Sequence, residues 1–294
     1  MTDADPARQP HGAVSGSDLM VRVGSALVLA PLAIGTAYLG GAAFAAFWGA
    51  AAIIVMWEWS GLVAGHHRRS AMIIGIAAVA LAAVLAASSI GASDKLHDIR
   101  LAATLIVLVM GMLAAAAVAP RSGAPWVAAG IPYAGAIGVA PIVLRSDAEH
   151  GFLAIIFLFA VVWSTDIAAY FVGRAVGGPK LAPQLSPKKT WSGCIGGLLG
   201  GMVAAALVIQ IGGIGTLTMA IPLGLALSAC AQAGDLFESA LKRRFGAKDA
   251  GALIPGHGGV MDRLDSFVAA AVLACIIGVA HGGFDAPARG LLIW

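Results

Sequence analysis

The chain has 294 residues, 60% of them hydrophobic and 11% charged, with a net charge of +3 at pH 7. A soluble domain is about 25% charged, so 18 basic and 15 acidic side chains cannot cover a soluble surface of this size, and a disordered chain would be poor in apolar residues. The mean hydropathy of +0.90, carried in long unbroken apolar runs, marks an all-α polytopic membrane protein; a charge of +3 is not a polybasic signature, and no nucleic-acid partner is expected.

In chain order, residues 1–19 read as a polar, disordered cytoplasmic tail without the basic-then-apolar pattern of a signal peptide. Residues 20–294 read as one transmembrane domain. Nine candidate spans follow at roughly 20–39, 41–64, 71–91, 100–119, 125–144, 151–173, 192–212, 215–234 and 266–283, each near the ~20 residues that cross a ~30 Å hydrocarbon core. The run GCIGGLLGG at 193–201 predicts close helix packing. Cys194, Cys230 and Cys275 lie in apolar runs and read as small buried side chains.

Basic residues set the orientation. With the amino terminus in the cytoplasm, that side holds Arg8, Arg22, Arg68, Arg69, Arg121, Arg174, Lys180, Lys188, Lys189, Lys242, Arg243, Arg244, Lys248 and Arg263. The far side holds only Lys95, Arg100, Arg145 and Arg289. The two long polar segments, near 174–191 and 235–265, then face the cytoplasm and have room for chemistry.

Four polar groups stand out. Asp166 lies within an apolar span, where an acid is costly and faces a cavity or a partner, with Tyr170 one turn along. In GGPKLAPQLSPKKTWSG, Pro179, Pro183 and Pro187 forbid a continuous helix. Ser186, Lys188, Lys189 and Thr190 then precede a helix start, an arrangement suited to an anion, although the Walker A pattern is absent. In AGDLFESALKRRFGAKD, helical spacing puts Asp235, Ser239 and Lys242 on one face and lets Glu238 pair with Lys242. In PGHGGVMDRLDS, Asp262 and Asp265 share a helical face at i, i+3 and repel unless a cation neutralises them, while Arg263 points elsewhere. His257 has no second histidine at ligand spacing. Carboxylates for a divalent cation beside lysines and arginines for phosphate oxygens are the parts of a phosphoryl-transfer site.

These residues carry a resemblance. Ser239-Ala-Leu-Lys242-Arg243, four residues, Lys248-Asp249-Ala-Gly251, then Ile254-Pro-Gly-His257-Gly258-Gly259-Val-Met-Asp262-Arg263-Leu-Asp265 resembles the signature of the phosphatidate cytidylyltransferases (CDP-diacylglycerol synthases). The stretch with Asp166, Tyr170 and SPKKT, the length and the nine-span layout are similar too. The resemblance implies transfer of CMP from CTP to phosphatidate, giving CDP-diacylglycerol and pyrophosphate, by a homodimer in a bacterial inner membrane with its site facing the cytoplasm. It implies Mg²⁺ held by Asp235 and Asp262, with Asp249 and Asp265 as helpers and K⁺ as a second cation. Lys188, Lys189 and Lys242 would hold phosphates, and Arg243 and Arg263 the lipid headgroup. Ser186, Thr190, Ser239, Lys248, His257 and Asp166 complete the substrate-binding set. Ser192, after KKTW, departs from the pattern, since many members carry an acid there. The rival reading is a transporter with Asp166 as an ion-coupling acid. A CDP-alcohol transferase would need a DG…AR…G…D…D motif that the chain lacks.

Overall fold

A computed structural model describes residues 16–63, 68–90, 94–254 and 258–294. Its long helices are α1 (Gly16–Leu39), α2 (Gly41–Val63), α3 (Arg68–Ser89), α4 (Asp94–Val118), α5 (Ala124–Arg145), α6 (Gly151–Val176), α7 (Trp191–Gly212), α8 (Leu217–Arg244) and α9 (Met261–Gly282). Two short strands, β1 (Lys180–Ala182) and β2 (Ser186–Thr190), separate α6 from α7, and α10 (Pro287–Leu292) follows α9. Among the described residues, eight helices are long and apolar enough to cross a membrane, and Leu27–Leu39 of α1 is a shorter apolar stretch. Helices suit this setting because each satisfies its own backbone hydrogen bonds where no water can.

Consecutive helices pack as neighbours, α2 with α3, α3 with α4, α4 with α5, α6 with α7, α7 with α8 and α8 with α9, and α2 also packs on α5. Helix α5 joins the two groups by touching both α6 and α9. Bulky side chains fill the centre. Trp48 stacks on Phe267 with ring centroids 4.7 Å apart, and Trp59 Nε1 donates to the Trp126 carbonyl at 2.8 Å, tying α2 to the start of α5. The predicted close packing at 193–201 is present: a Cβ on Gly200 would lie 2.5 Å from Ala168 Cβ on α6. Buried hydroxyls cross-link the same region, Thr165 donating to Ser228 at 2.8 Å and Ser228 to the Gly197 carbonyl at 3.1 Å. Leu105, Ile106, Met110, Ile195, Leu199 and Ile211 remain exposed, as an outward apolar belt does in a bilayer.

Two segments differ from the sequence-based expectation, and two helices reach beyond their predicted membrane spans. The polar tail predicted over 1–19 lies outside the described residues up to 15, but α1 already begins at Gly16. The proline-rich segment forms a hairpin, not an open loop, with Lys180 opposite Thr190 and Ala182 opposite Ser186. The prolines fit because Pro183 lies in the turn and a two-stranded ribbon has free edges. Helix α8 runs to Arg244, ten residues beyond the predicted end of its membrane span at 234, in agreement with the helical spacing read for Asp235, Ser239 and Lys242; Leu, Lys and Arg there are good helix formers and nothing interrupts them before Gly246. Helix α9 begins at Met261, five residues ahead of the predicted span, so Asp262 and Asp265 lie in its first turns, as their helical i, i+3 spacing implied.

Candidate functional site

The long α8 and the early start of α9 bring the acids together. Gly234 makes this possible: a Cβ there would lie 2.5 Å from the Asp265 carbonyl oxygen and 2.7 Å from Ala269 Cβ. The two helix backbones therefore meet one residue before Asp235. A cavity of about 480 Å³ opens beside this crossing, walled by α6, the end of the hairpin, α7, α8 and α9. Asp166, Asp235, Glu238, Asp249, Asp262 and Asp265 line it together with Lys189, Lys242 and Arg263. Thr190, Tyr170, Gln232 and Ser266 add neutral polar groups.

Several of these side chains are held by local contacts. Lys242 Nζ stands 2.6 Å from Asp262 Oδ1 and 2.6 Å from Glu238 Oε2. The Glu238 contact is the i, i+4 pair read from the sequence; the Asp262 contact crosses between helices. Asp262 also accepts from the backbone N–H of Gly259 at 2.8 Å and of Ala250 at 3.0 Å. Those bonds hold the backbone at Ala250 and Gly259 against the start of α9. Lys189, at the end of β2, forms an ion pair with Asp235. Ser239 donates to Asp235 Oδ1 over 3.5 Å, a bond at the limit of length. Thr190 caps α7, its Oγ1 accepting from Gly193 N at 3.1 Å. Ser192, the position that departs from the resemblance, hydrogen-bonds Thr190 at 3.0 Å and donates to the Gly177 carbonyl. It thus ties the hairpin to the end of α6.

The structure separates the candidates. Asp166, Lys189, Thr190, Asp235, Lys242, Asp249, Asp262, Arg263 and Asp265 line one cavity. Arg263, read as pointing away from the acids, forms part of the cavity wall. Ser186, Lys188, Ser239, Arg243 and Lys248 are not among the lining residues. Lys188 alternates with Lys189 on β2 and so faces the other side of the hairpin. Arg243 is one residue past Lys242 and turns off its face, donating to the Ala247 carbonyl at 3.2 Å. His257 lies outside the described residues.

One acid escaped the sequence reading. Glu58, on α2, is 2% exposed, and its carboxylate accepts from Val260 N at 2.9 Å and Met261 N at 2.7 Å. It sits in the run VMWEWSG, and a lone acid in an apolar span was the available signal.

Among the described residues no group of three or more His, Cys, Asp or Glu is arranged to hold a metal ion unaided. Magnesium differs from zinc in this respect, since it is commonly bound by one or two carboxylates with water and substrate phosphates completing its shell. Asp235 and Asp262, two hard oxygen donors on one cavity, fit that mode.

A second cavity, of about 500 Å³, adjoins the first. It is a groove among α1, α2, α6 and α9, lined mostly by apolar side chains such as Ala30, Phe47, Ala51, Trp163 and Leu264. Asp166 and Arg263 border both cavities.

The fold is that of a polytopic helical membrane protein in which an acid- and base-lined cavity borders an apolar groove. The family follows from comparison: residues 20–280 match the model of the cytidylyltransferase family, and the chain belongs to that family. Its relatives include the phosphatidate cytidylyltransferase of Brucella suis, 43% identical over 275 residues that cover 92% of this chain and 97% of the relative. That of Pseudomonas aeruginosa is 37% identical over 92% of this chain and 100% of its own length. That of Haemophilus influenzae is 46% identical over 42% of this chain and 45% of its own.

Proposed function

We propose that this protein transfers the cytidylyl group of CTP to phosphatidate, giving CDP-diacylglycerol and pyrophosphate. The observation that carries the reading is that two cavities share a wall: Asp166 and Arg263 line both a charged chamber suited to phosphates and an apolar groove suited to acyl chains. The relatives' names agree with it.

Phosphatidate is a phosphate monoester, with a second pKa of about 6 by analogy with phosphoserine. Its phosphate oxygen is therefore largely deprotonated near neutral pH and needs no strong general base. That oxygen attacks the α-phosphorus of CTP, the bond from the α-phosphorus to the bridging oxygen breaks, and pyrophosphate leaves with the electron pair. The obstacle is the meeting of two polyanions. Lys189 and Lys242 hold nucleotide phosphates and the departing pyrophosphate. Arg263 pairs with the lipid phosphate at the groove mouth. Asp235 and Asp262 would hold Mg²⁺, which when bound neutralises phosphate charge in the transition state. K⁺ as a second cation belongs to the same reading.

The excess of basic residues in the segments around the cavity supports a site that faces the cytoplasm. The bacterial relatives support the inner membrane as its location. We also assign it as a homodimer, which its mass in detergent solution checks. The deciding experiment incubates purified protein with radiolabelled CTP, phosphatidate and Mg²⁺. Labelled CDP-diacylglycerol and an equal amount of pyrophosphate are expected; absence of both rejects the activity.

A further inference from the structure

We propose that Glu58 is a positioning residue for this reaction, holding the first turn of α9, and with it Asp262 and Arg263, in register with the rest of the cavity; this rests on the activity proposed above. A helix start leaves its first backbone N–H groups without intrahelical partners. A side chain close in sequence usually caps them, yet α9 has no side-chain cap from its N-cap residue Val260. The two N–H groups of Val260 and Met261 instead converge on the two oxygens of Glu58, 202 and 203 residues away in sequence. Both bonds run from backbone N–H groups to the carboxyl oxygens, which stand at the positive end of the α9 dipole.

The contact reaches beyond the cap. A Cβ on Gly251 would lie 2.6 Å from Glu58 Oε1, and one on Gly259 would lie 2.7 Å from the same atom. Both glycines belong to the connection from α8 to α9, and the lack of a Cβ at each lets it close on the carboxyl group of Glu58 where that now stands. The same connection supplies the Gly259 and Ala250 N–H groups that fix Asp262. Glu58 is thus the point at which α2, Gly251, Gly259 and the start of α9 are joined. It does not line the cavity, so it acts through the residues it holds.

The test compares wild type, Glu58→Gln and Glu58→Ala in lipid nanodiscs, with rates expressed per folded molecule. Loss of the cap lets the α9 start shift, and a displacement of about 1 Å in a positioned group costs roughly 100-fold. Glu58→Ala is expected to lower kcat by that factor with KM for CTP little changed. Glu58→Gln keeps one acceptor oxygen and recovers part of the loss, and covers the case in which Glu58→Ala does not fold. Hydrogen exchange over residues 258–266 should accelerate in both variants. That arm is independent of catalysis, so it decides whether Glu58 holds the α9 start even if wild type makes no CDP-diacylglycerol, and it keeps a failure of the cap distinct from a failure of the proposed activity. In a double-mutant cycle, Gly259→Ala should cost much activity when Glu58 is present and little in the Glu58→Ala background. Unchanged kcat per folded molecule, or unchanged exchange over 258–266, would overturn the assignment.

Discussion

Lys242 Nζ lies 2.6 Å from Asp262 Oδ1 on the neighbouring helix and 2.6 Å from Glu238 Oε2 one turn back on its own. One ammonium therefore joins the two helices that carry the acids. Glu238 is fully buried and Asp262 nearly so, so removing the cation takes from both acids the partner that they share. Lys242→Met should lower stability by about 3 kcal/mol, the cost typical of breaking a buried pair from one side, and should abolish transfer. Denaturant unfolding in detergent, with an activity assay, measures both. A double variant, Lys242→Met with Glu238→Gln, should recover much of the stability and none of the activity.

Asp235 and Asp262 have the same chemistry but different supports, Lys189 for one and Lys242 with two backbone N–H groups for the other. Asp235→Asn and Asp262→Asn should each remove CTP- and Mg²⁺-dependent product, by about 100-fold or more if each carboxylate is a cation ligand. Melting should drop further for Asp262→Asn, because its oxygens also hold the backbone at Ala250 and Gly259. Wild-type rates in both variants would eliminate these acids as the cation site.

Chelation provides a separate check. Asp235 and Asp262 are already paired with lysines. Treatment with EDTA should therefore stop product formation and leave the melting temperature unchanged. Added Mg²⁺ should restore the rate.

The adjacent lysines of the hairpin should differ in effect. Lys189 pairs with Asp235 and lines the cavity; Lys188 does neither. Lys189→Ala is expected to reduce kcat/KM by about 10-fold or more, a loss of at least ~1.4 kcal/mol of transition-state stabilisation. Lys188→Ala should stay within about twofold, as for an exposed surface charge. Equal losses would place both side chains on substrate.

Gly234 tests the helix crossing itself. Its added Cβ in Gly234→Ala would meet the Asp265 carbonyl oxygen at 2.5 Å, and backbone cannot yield as a flexible side-chain end does. Overpacking of this kind costs about 1–3 kcal/mol. Activity should fall more than stability, since the displaced helix segments carry Asp235, Asp262 and Asp265. Thermal unfolding together with kcat decides it.

Much of the site was readable because its residues are costly where they stand. Asp166, Asp235, Asp262 and Asp265 interrupt or border apolar spans, and such acids need a reason. Helical spacing was enough to pair Glu238 with Lys242. The hairpin was not foreseen, because three prolines exclude a helix without specifying what replaces it. The division between Lys188 and Lys189 depends on strand alternation and was hidden for the same reason.

Composition and the length of the apolar runs were enough to establish a helical membrane protein, because the bilayer penalises every exception residue by residue. Spacing within a segment was enough for contacts three or four residues apart. Contacts between segments obey no such local rule. The approach of α8 to α9 at Gly234, the shared border at Asp166 and Arg263, and the grip of Glu58 on an α9 start some 200 residues away arise only when the helices pack, where close contact and burial select which distant groups meet.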